Sequence, residues 1–299
     1  MQEMQSIKAL SLAPDVNYWL ANSRQPRILH VFDQACNLIN ERREVLSIVT
    51  PQIGNGPFNL VLEDDVLFSE HLSLESPVSV FPTQLNLEDF IISIDNAKLW
   101  LPRADWEMLH ARRDVILDEL TKLQITHYQV RGLDMSLAKN AGDYSTTSLQ
   151  SLISNLSSSF ANANLPSSLI ATQRLAGLGI GLSPAGDDFI LGAIYAAWII
   201  HPPEITTILV KEVTNTAAAL TTSLSAAWLR SAGRGEAGIL WHDFFDTLIS
   251  ADSIAIQLSV DAILSIGHTS GADALAGFFG VFMAWASVFR KDLHPKAFR

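Results

Sequence analysis

The sequence contains almost no cysteine and few charged residues. Cys36 is the only cysteine among 299 residues, which excludes an internal disulfide and fits a reducing, cytoplasmic location. Charged residues make up 17% of the chain and hydrophobic residues 48%. A chain this apolar is not disordered, and we expect it to bury a large core.

Basic residues and long apolar runs are also scarce. Lysine and arginine number 20 against 31 acidic residues, a net charge of −11, so we expect no nucleic-acid surface. The long apolar run without charge at 274–289 is shorter than the roughly 20 residues that cross a bilayer. The N-terminus lacks the charged-then-apolar pattern of a signal peptide. We therefore predict no membrane span.

Hydrophobic periodicity divides the chain in two. Up to residue 102, short β-branched and aromatic runs such as 27–32 alternate with turn residues, which predicts strands. Beyond it the pattern is helical, with a polar connector at 131–146 and one long helix over 203–231. We predict an α+β protein: a β-rich N-terminal domain (1–102), an antiparallel sheet or small barrel, followed by an all-helical C-terminal domain (103–299).

Residues 177–192 read G-L-G-I-G-L-S-P-A-G-D-D-F-I-L-G. Ser183 and Pro184 predict a helix start, with Ser183 as the N-cap, and Asp187 and Asp188 suit its first turn. A capped helix does not explain the excess of glycine, which favours backbone that bends sharply or approaches a ligand. The glycines are Gly177, Gly179, Gly181 and Gly186.

Known phosphate motifs do not match this loop. A P-loop needs lysine and a hydroxyl residue where Asp187 and Asp188 stand, and the dinucleotide fingerprint fails at Pro184. Two unpaired carboxylates would repel a bare phosphate. The loop therefore suits an amide or amine ligand, or Mg²⁺ held by Asp187 and Asp188 that in turn binds an anion.

A second stretch, 266–273, has a similar pattern of glycine, hydroxyl residues and aspartate before a predicted long apolar helix. It reads I-G-H-T-S-G-A-D. Aligning Gly181 with Gly267 places Asp187 over Asp273, and so favours Asp187 as the carboxylate that faces the ligand. The same pattern would also arise from two ordinarily capped helices. His268 is either a structural histidine or, at a helix start, an acid/base candidate.

Two further features lie between these stretches. The hydroxyl residues of 221–225 either donate hydrogen bonds to carbonyls of their own helix or take part in the candidate site. Arg234 lies between two glycines. It either binds an anionic ligand or is a solvent-exposed loop arginine.

Both glycine-rich stretches resemble the signatures of the AllH-like family, close to G-L-G-P-G-L-T-P-S-G-D-D-F-L-x-G and G-H-S-S-G-x-D-x-L-x-G. The segment S-I-D-N-A-K-L-W-L-P at 93–102 is similar to a weaker N-terminal pattern of that family. The resemblance implies a cytoplasmic subunit of a carbamoyltransferase-like enzyme of ureide and purine-nitrogen catabolism, including allantoin degradation. Such a subunit acts with other subunits to transfer a carbamoyl group between oxamate and carbamoyl phosphate.

Together these features predict a small anionic or amide substrate bound between two helix N-termini. The alternative is a non-catalytic subunit that binds a metabolite or acts as a scaffold. Asp187 and His268 are the candidate catalytic residues. The candidate substrate-binding residues are Gly179, Gly181, Ser183, Gly186, Asp188, Arg234, Thr269, Ser270 and Asp273.

Overall fold

The computed structural model describes residues 5–122 and 146–293. The chain divides into two compact units, residues 1–103 with 237–239, and residues 104–236 with 240–299. The connector predicted at 131–146 lies, except for its last residue, outside the described residues.

The N-terminal unit is a mixed, nearly closed β-barrel. Its strands follow the spatial order β2-β3-β4-β5-β1-β8-β7-β6, with β9 paired to β1. The prediction of a β-rich domain, an antiparallel sheet or small barrel, is confirmed in its barrel form. The strands are mixed in direction, because β1 runs parallel to β8 and β9, and β4 parallel to β5. The strands are β1 Gln5–Leu12, β2 Arg27–Val31, β3 Ala35–Ile39, β4 Val45–Val49, β5 Asn59–Leu62, β6 Val78–Phe81, β7 Gln84–Leu87, β8 Phe90–Ser93 and β9 Lys98–Leu99.

Alternating side chains build the core of this barrel. In β1, Ile7 and Ala9 point inward between exposed neighbours, the period expected of a strand with one buried face. Helix α1 (Pro14–Asn22) adds Trp19 to the same core. Cys36 is fully buried there, and burial raises the pKa of its thiol to about 12, so the thiol stays protonated and unreactive.

The C-terminal unit is helical throughout its described residues, as the sequence predicts. One long helix over 203–231 is wrong, however, because the chain leaves the helix after Ala218 and starts a new one at Ser223. Thr222 caps that start by accepting a hydrogen bond from the Ser225 backbone N–H at 3.1 Å. The other helices are α2 Phe68–His71 in the N-terminal unit, then α3 Trp106–Ala111, α4 Arg113–Lys122, α5 Thr146–Ala161, α6 Leu165–Leu175, α7 Ala185–Ile200, α8 Pro203–Ala218, α9 Ser223–Gly233, α10 Ile239–Ser250, α11 Ser253–Leu264 and α12 Ser270–Leu293.

Helix α7 is the centre of the helical unit. Every residue of α7 except Asp188 is buried, as expected for a helix that is apolar on all sides. Trp106 of α3 stacks on Trp198 of α7 with ring centroids 5.7 Å apart, and its indole N–H donates to the Gly235 carbonyl at 2.8 Å.

Helix α12 is the longest and packs along α7. Within the described residues, its segment 270–288 is the one stretch long and apolar enough to cross a membrane by length and composition, and 67% of that stretch is buried inside the protein. A core helix with this burial passes the same test, so the stretch does not by itself indicate a membrane span.

Two glycines bring α7 and α12 into backbone contact. A Cβ placed on Gly192 of α7 would lie 1.7 Å from the Ala274 carbonyl oxygen, and one on Gly277 of α12 would lie 2.0 Å from the Phe189 carbonyl oxygen. Each helix therefore needs a glycine where the carbonyl of the other approaches.

We expect Gly277→Ala to lower the free energy of unfolding by at least about 3 kcal/mol, because a backbone carbonyl cannot move aside for a methyl group. Gly280→Ala, one turn further along α12, is the matched control. Its Cβ would meet the Ser157 side chain at 2.9 Å, and the higher helix propensity of alanine, about 1 kcal/mol, offsets much of that crowding. Urea denaturation of the full chain measures both variants. Equal losses in the two variants would show that the crossing does not depend on Gly277.

Candidate functional site

The loop before α7 bends at its glycines. Gly177, Gly179 and Gly181 have φ angles of +73°, +122° and +101°, which non-glycine residues rarely adopt. A Cβ on Gly177 would lie 2.5 Å from the Leu220 carbonyl oxygen, whereas Gly181 has no neighbour within 4 Å of that position. The backbone conformation of the loop therefore explains most of these glycines without a ligand.

Ser183 does not cap α7. Pro184 occupies the N-cap position and the helix begins at Ala185, so the predicted N-cap is wrong by one residue. The Ser183 hydroxyl instead donates to the carboxylate of Asp188. Because Ser183 lies one residue before the N-cap, its hydroxyl bonds to Asp188 and not to the first N–H groups of the helix.

Asp187 anchors the loop to the start of α9. Its side chain is 1% exposed and accepts hydrogen bonds from the Gly177 backbone N–H at 2.8 Å, from the Ser225 hydroxyl at 2.8 Å and from the Thr221 hydroxyl. Burial raises the pKa of Asp187, against these three hydrogen bonds, which lower it. Asp187 therefore connects the loop to the start of α9. Both of its carboxylate oxygens already accept hydrogen bonds from the protein.

The hydroxyls of Thr221 and Ser225 thus donate to Asp187 and not to carbonyls of their own helix. The Thr222 hydroxyl also donates to the Leu182 carbonyl at 2.6 Å. These hydroxyls lie at or next to the break between α8 and α9, which the periodicity of the sequence does not indicate.

We expect Asp187→Ala to lower the free energy of unfolding by about 3 kcal/mol, because three buried donors lose their acceptor. Asp187→Asn keeps one acceptor oxygen and should lose less, about 1 kcal/mol. Asp261, which is exposed on α11, provides the control variant Asp261→Ala. Urea denaturation measures all three, and an Asp187→Ala protein as stable as the control would contradict the anchoring role.

The two glycine-rich stretches are structural equivalents, but in a register one residue away from the sequence alignment. Gly186 packs on the Leu175 carbonyl and Gly271 on the Ile263 carbonyl, each at the end of the preceding helix. Gly192 and Gly277 then form the reciprocal crossing of α7 and α12. In this register Asp273 corresponds to Asp188, so the reason for favouring Asp187 does not hold.

Asp188, although partly exposed as a residue, and Asp273 both have buried carboxyl oxygens without hydrogen-bond partners. Asp273 is 0% exposed and neither of its carboxyl oxygens has a hydrogen-bond partner, nor has Oδ2 of Asp188. Burial raises the pKa of Asp188 to about 8, and the nearby carboxylates of Asp273 and Asp187 add to that shift. Burial also raises the pKa of Asp273 to about 7, although the Thr269 hydroxyl opposes the change.

The remaining predicted residues of the second stretch surround this pair. The Ser270 hydroxyl, with that of Ser183, opposes the upward shift in the pKa of Asp188. Gly267 has a φ angle of +56°, and His268 beside it is exposed. Ser183, Thr269 and Ser270 therefore lie near the carboxyl pair, with His268 on the surface at the same helix start.

Arg234 forms a bidentate ion pair with Glu236 on the solvent side of the α9 C-terminus. The two bonds measure 2.6 and 3.0 Å. The Glu236 carbonyl accepts from the Tyr195 hydroxyl, and Tyr195 lies two turns along α7 from Asp188, about 10 Å at 1.5 Å per residue. The structure therefore does not bring Arg234 to the carboxyl pair.

Magnesium gains no support from the geometry. Among residues 5–122 and 146–293, no group of three or more His, Cys, Asp or Glu side chains is arranged to hold a metal ion. Asp187 in particular has its oxygens committed to three donors.

Two sequence families match this chain. Residues 8–99 match the AllH family N-terminal domain, and residues 175–282 match oxamate carbamoyltransferase subunit AllH. The chain belongs to the AllH family. No solved structure matches it.

The AllH match spans both helix starts and the α7–α12 crossing. It opens at Leu175, on which Gly186 packs, and ends at Phe282, beyond the crossing at Gly277. The resemblance inferred from the two glycine-rich stretches is thereby confirmed. The family is named for a subunit of a transferase, and a subunit implies others with which it assembles.

The carboxyl pair makes the stability of the protein depend on pH. A carboxyl whose pKa rises on folding binds more protons in the folded state, so stability falls as the pH rises from about 4, the unfolded pKa, to the folded values of about 7 and 8. We expect Asp273→Asn to be more stable than the native chain at pH 8, by up to about 4 kcal/mol, and equally stable near pH 4.

Urea denaturation at the two pH values measures this difference. Asp261→Asn, on the exposed face of α11, is the control and should show no pH-dependent gain. An Asp273→Asn variant that loses stability equally at both pH values would mean that the native carboxyl has partners at neutral pH.

Proposed function

We propose that this chain is the subunit in which a carbamoyltransferase of the oxamate and carbamoyl phosphate type binds its amide substrate. The site lies between the starts of α7 and α12. The observation that carries the proposal is the buried, unpartnered carboxyl of Asp273 beside Asp188. A family named for oxamate carbamoyltransferase supports the choice of reaction, and the cytoplasmic location expected from the sequence is part of the same proposal.

Carbamoyl transfer to an amide nitrogen requires that nitrogen to lose a proton. A carboxylate close to the nitrogen can accept the proton, and it does so best when its pKa lies near the working pH. Burial places the pKa values of Asp188 and Asp273 at about 8 and about 7. We therefore assign the proton transfer to this pair in place of Asp187, with the hydroxyls of Ser183, Thr269 and Ser270 orienting the carboxyls. His268, exposed at the same helix start, is kept as a second acid/base candidate.

Phosphate needs positive charge that the pair does not offer. Within the described residues, no cation contributes to the pKa of Asp188 or Asp273, and Arg234 is paired with Glu236. We propose that a partner subunit supplies the phosphate-binding cations, which is consistent with an enzyme built from several subunits.

The test is the enzyme reconstituted with its other subunits. We expect Asp188→Ala and Asp273→Ala each to lower kcat about 100-fold or more for carbamoyl transfer between oxamate and carbamoyl phosphate, while the complex still assembles. Asp261→Ala, a surface carboxyl of the same unit, should keep full turnover.

A non-catalytic role in substrate binding is the second candidate, because the unpartnered oxygens of Asp188 and Asp273 suit the binding of an amide as well as proton transfer. In that case substrate binding and turnover would fall together in the two variants, with assembly intact. Turnover unchanged in both variants would show that the site lies elsewhere.

A further inference from the structure

The equivalence of the two helix starts carries a further inference. Gly186, Asp188 and Gly192 on α7 correspond in packing to Gly271, Asp273 and Gly277 on α12. The crossing therefore relates Asp188 to Asp273 by an approximate two-fold rotation. It points two like side chains into one region from opposite helices.

Two carboxyl groups buried in such a region do not both ionise easily. The groups that act on Asp188 are Asp187, Asp273 and the hydroxyls of Ser183 and Ser270, and Asp273 is acted on by the Thr269 hydroxyl. Helix α5, which packs on α12, has no ionisable residue between 149 and 161. With no cation in this set, ionising both carboxyls is unfavourable, so a state with one protonated and one ionised carboxyl is accessible at neutral pH.

We propose that Asp188 and Asp273 together form a binding site for a primary carboxamide, such as a carbamoyl group. The protonated carboxyl donates to the carbonyl oxygen of the ligand, and the ionised one accepts from its NH2 group. The inference rests on the proposed function for the position of the substrate, and it adds the chemical group that the site recognises.

Hydrogen-bonding capacity selects the ligand. A primary carboxamide offers one acceptor and two N–H donors on a planar group, which matches one carboxylic acid and one carboxylate. A carboxylate ligand would place a second negative charge beside the ionised carboxyl, and a tertiary amide has no N–H for that carboxyl. The loop before α7 is open to solvent, since Ile180 is 69% exposed and Gly181 has open space around it.

The experiment measures binding to the full chain alone at pH 7, by saturation-transfer NMR with acetamide, acetate and N,N-dimethylacetamide. We expect acetamide to bind and the other two to bind at least about tenfold more weakly, because each leaves a buried group unpaired. Asp188→Ala and Asp273→Ala should each weaken acetamide at least about tenfold.

Asparagine variants separate this inference from simpler explanations. Asp188→Asn and Asp273→Asn, made singly, replace the protonated carboxyl with an NH2 donor and leave one carboxylate, so acetamide should bind within about threefold of the native chain. Equal loss in the alanine and asparagine variants would overturn the donor–acceptor assignment. Acetate binding as well as acetamide, or Mg²⁺ displacing acetamide, would overturn the choice of ligand.

Failure of this inference differs from failure of the proposed function. If acetamide does not bind but Asp273→Ala abolishes turnover in the complex, the function stands and the carboxamide assignment falls. If acetamide binds as expected but turnover is unaffected, the binding site stands and the proposed function falls.

Discussion

The backbone contact between α7 and α12 is the constraint on which the candidate site depends. At Gly192 and Gly277 each helix accepts the carbonyl of the other where any side chain would collide. The crossing sets the separation and direction of both helices, and their first turns therefore meet. Without it, Asp273, which is far from Asp188 in sequence, would not lie close enough to raise the pKa of Asp188.

The three aspartates of this region have different physical situations. Asp187 is satisfied by three donors and connects the glycine-rich loop to the start of α9. Asp188 and Asp273 have buried oxygens without partners, a costly arrangement that natural proteins rarely keep unless it serves a purpose. These carboxyls lower the free energy of unfolding at neutral and alkaline pH. The hydrogen bonds of Asp187, in the same first turn of α7, offset part of that loss.

Much of the fold and of the site could be predicted from local patterns. Alternating apolar residues indicated the barrel strands, and the two glycine-rich stretches marked both helix starts and the family. The long helix over 203–231 was wrong because the apolar pattern continues through the break at 219–222, where threonine hydroxyls bond to a distant loop. Spacing within one motif could not separate Asp187 from Asp188, since both suit the first turn of a helix.

By itself, the sequence determined the two-part architecture, the approximate positions of the two glycine-rich helix starts and membership of the AllH family, because these depend on periodicity and on short motifs read along the chain. Tertiary structure alone decided which aspartate is satisfied and which is not. It also decided that Arg234 pairs with Glu236 and that Gly192 and Gly277 are needed for helix contact. Burial and hydrogen-bond partners arise from residues distant in sequence, and the charge state of a carboxyl follows from those surroundings.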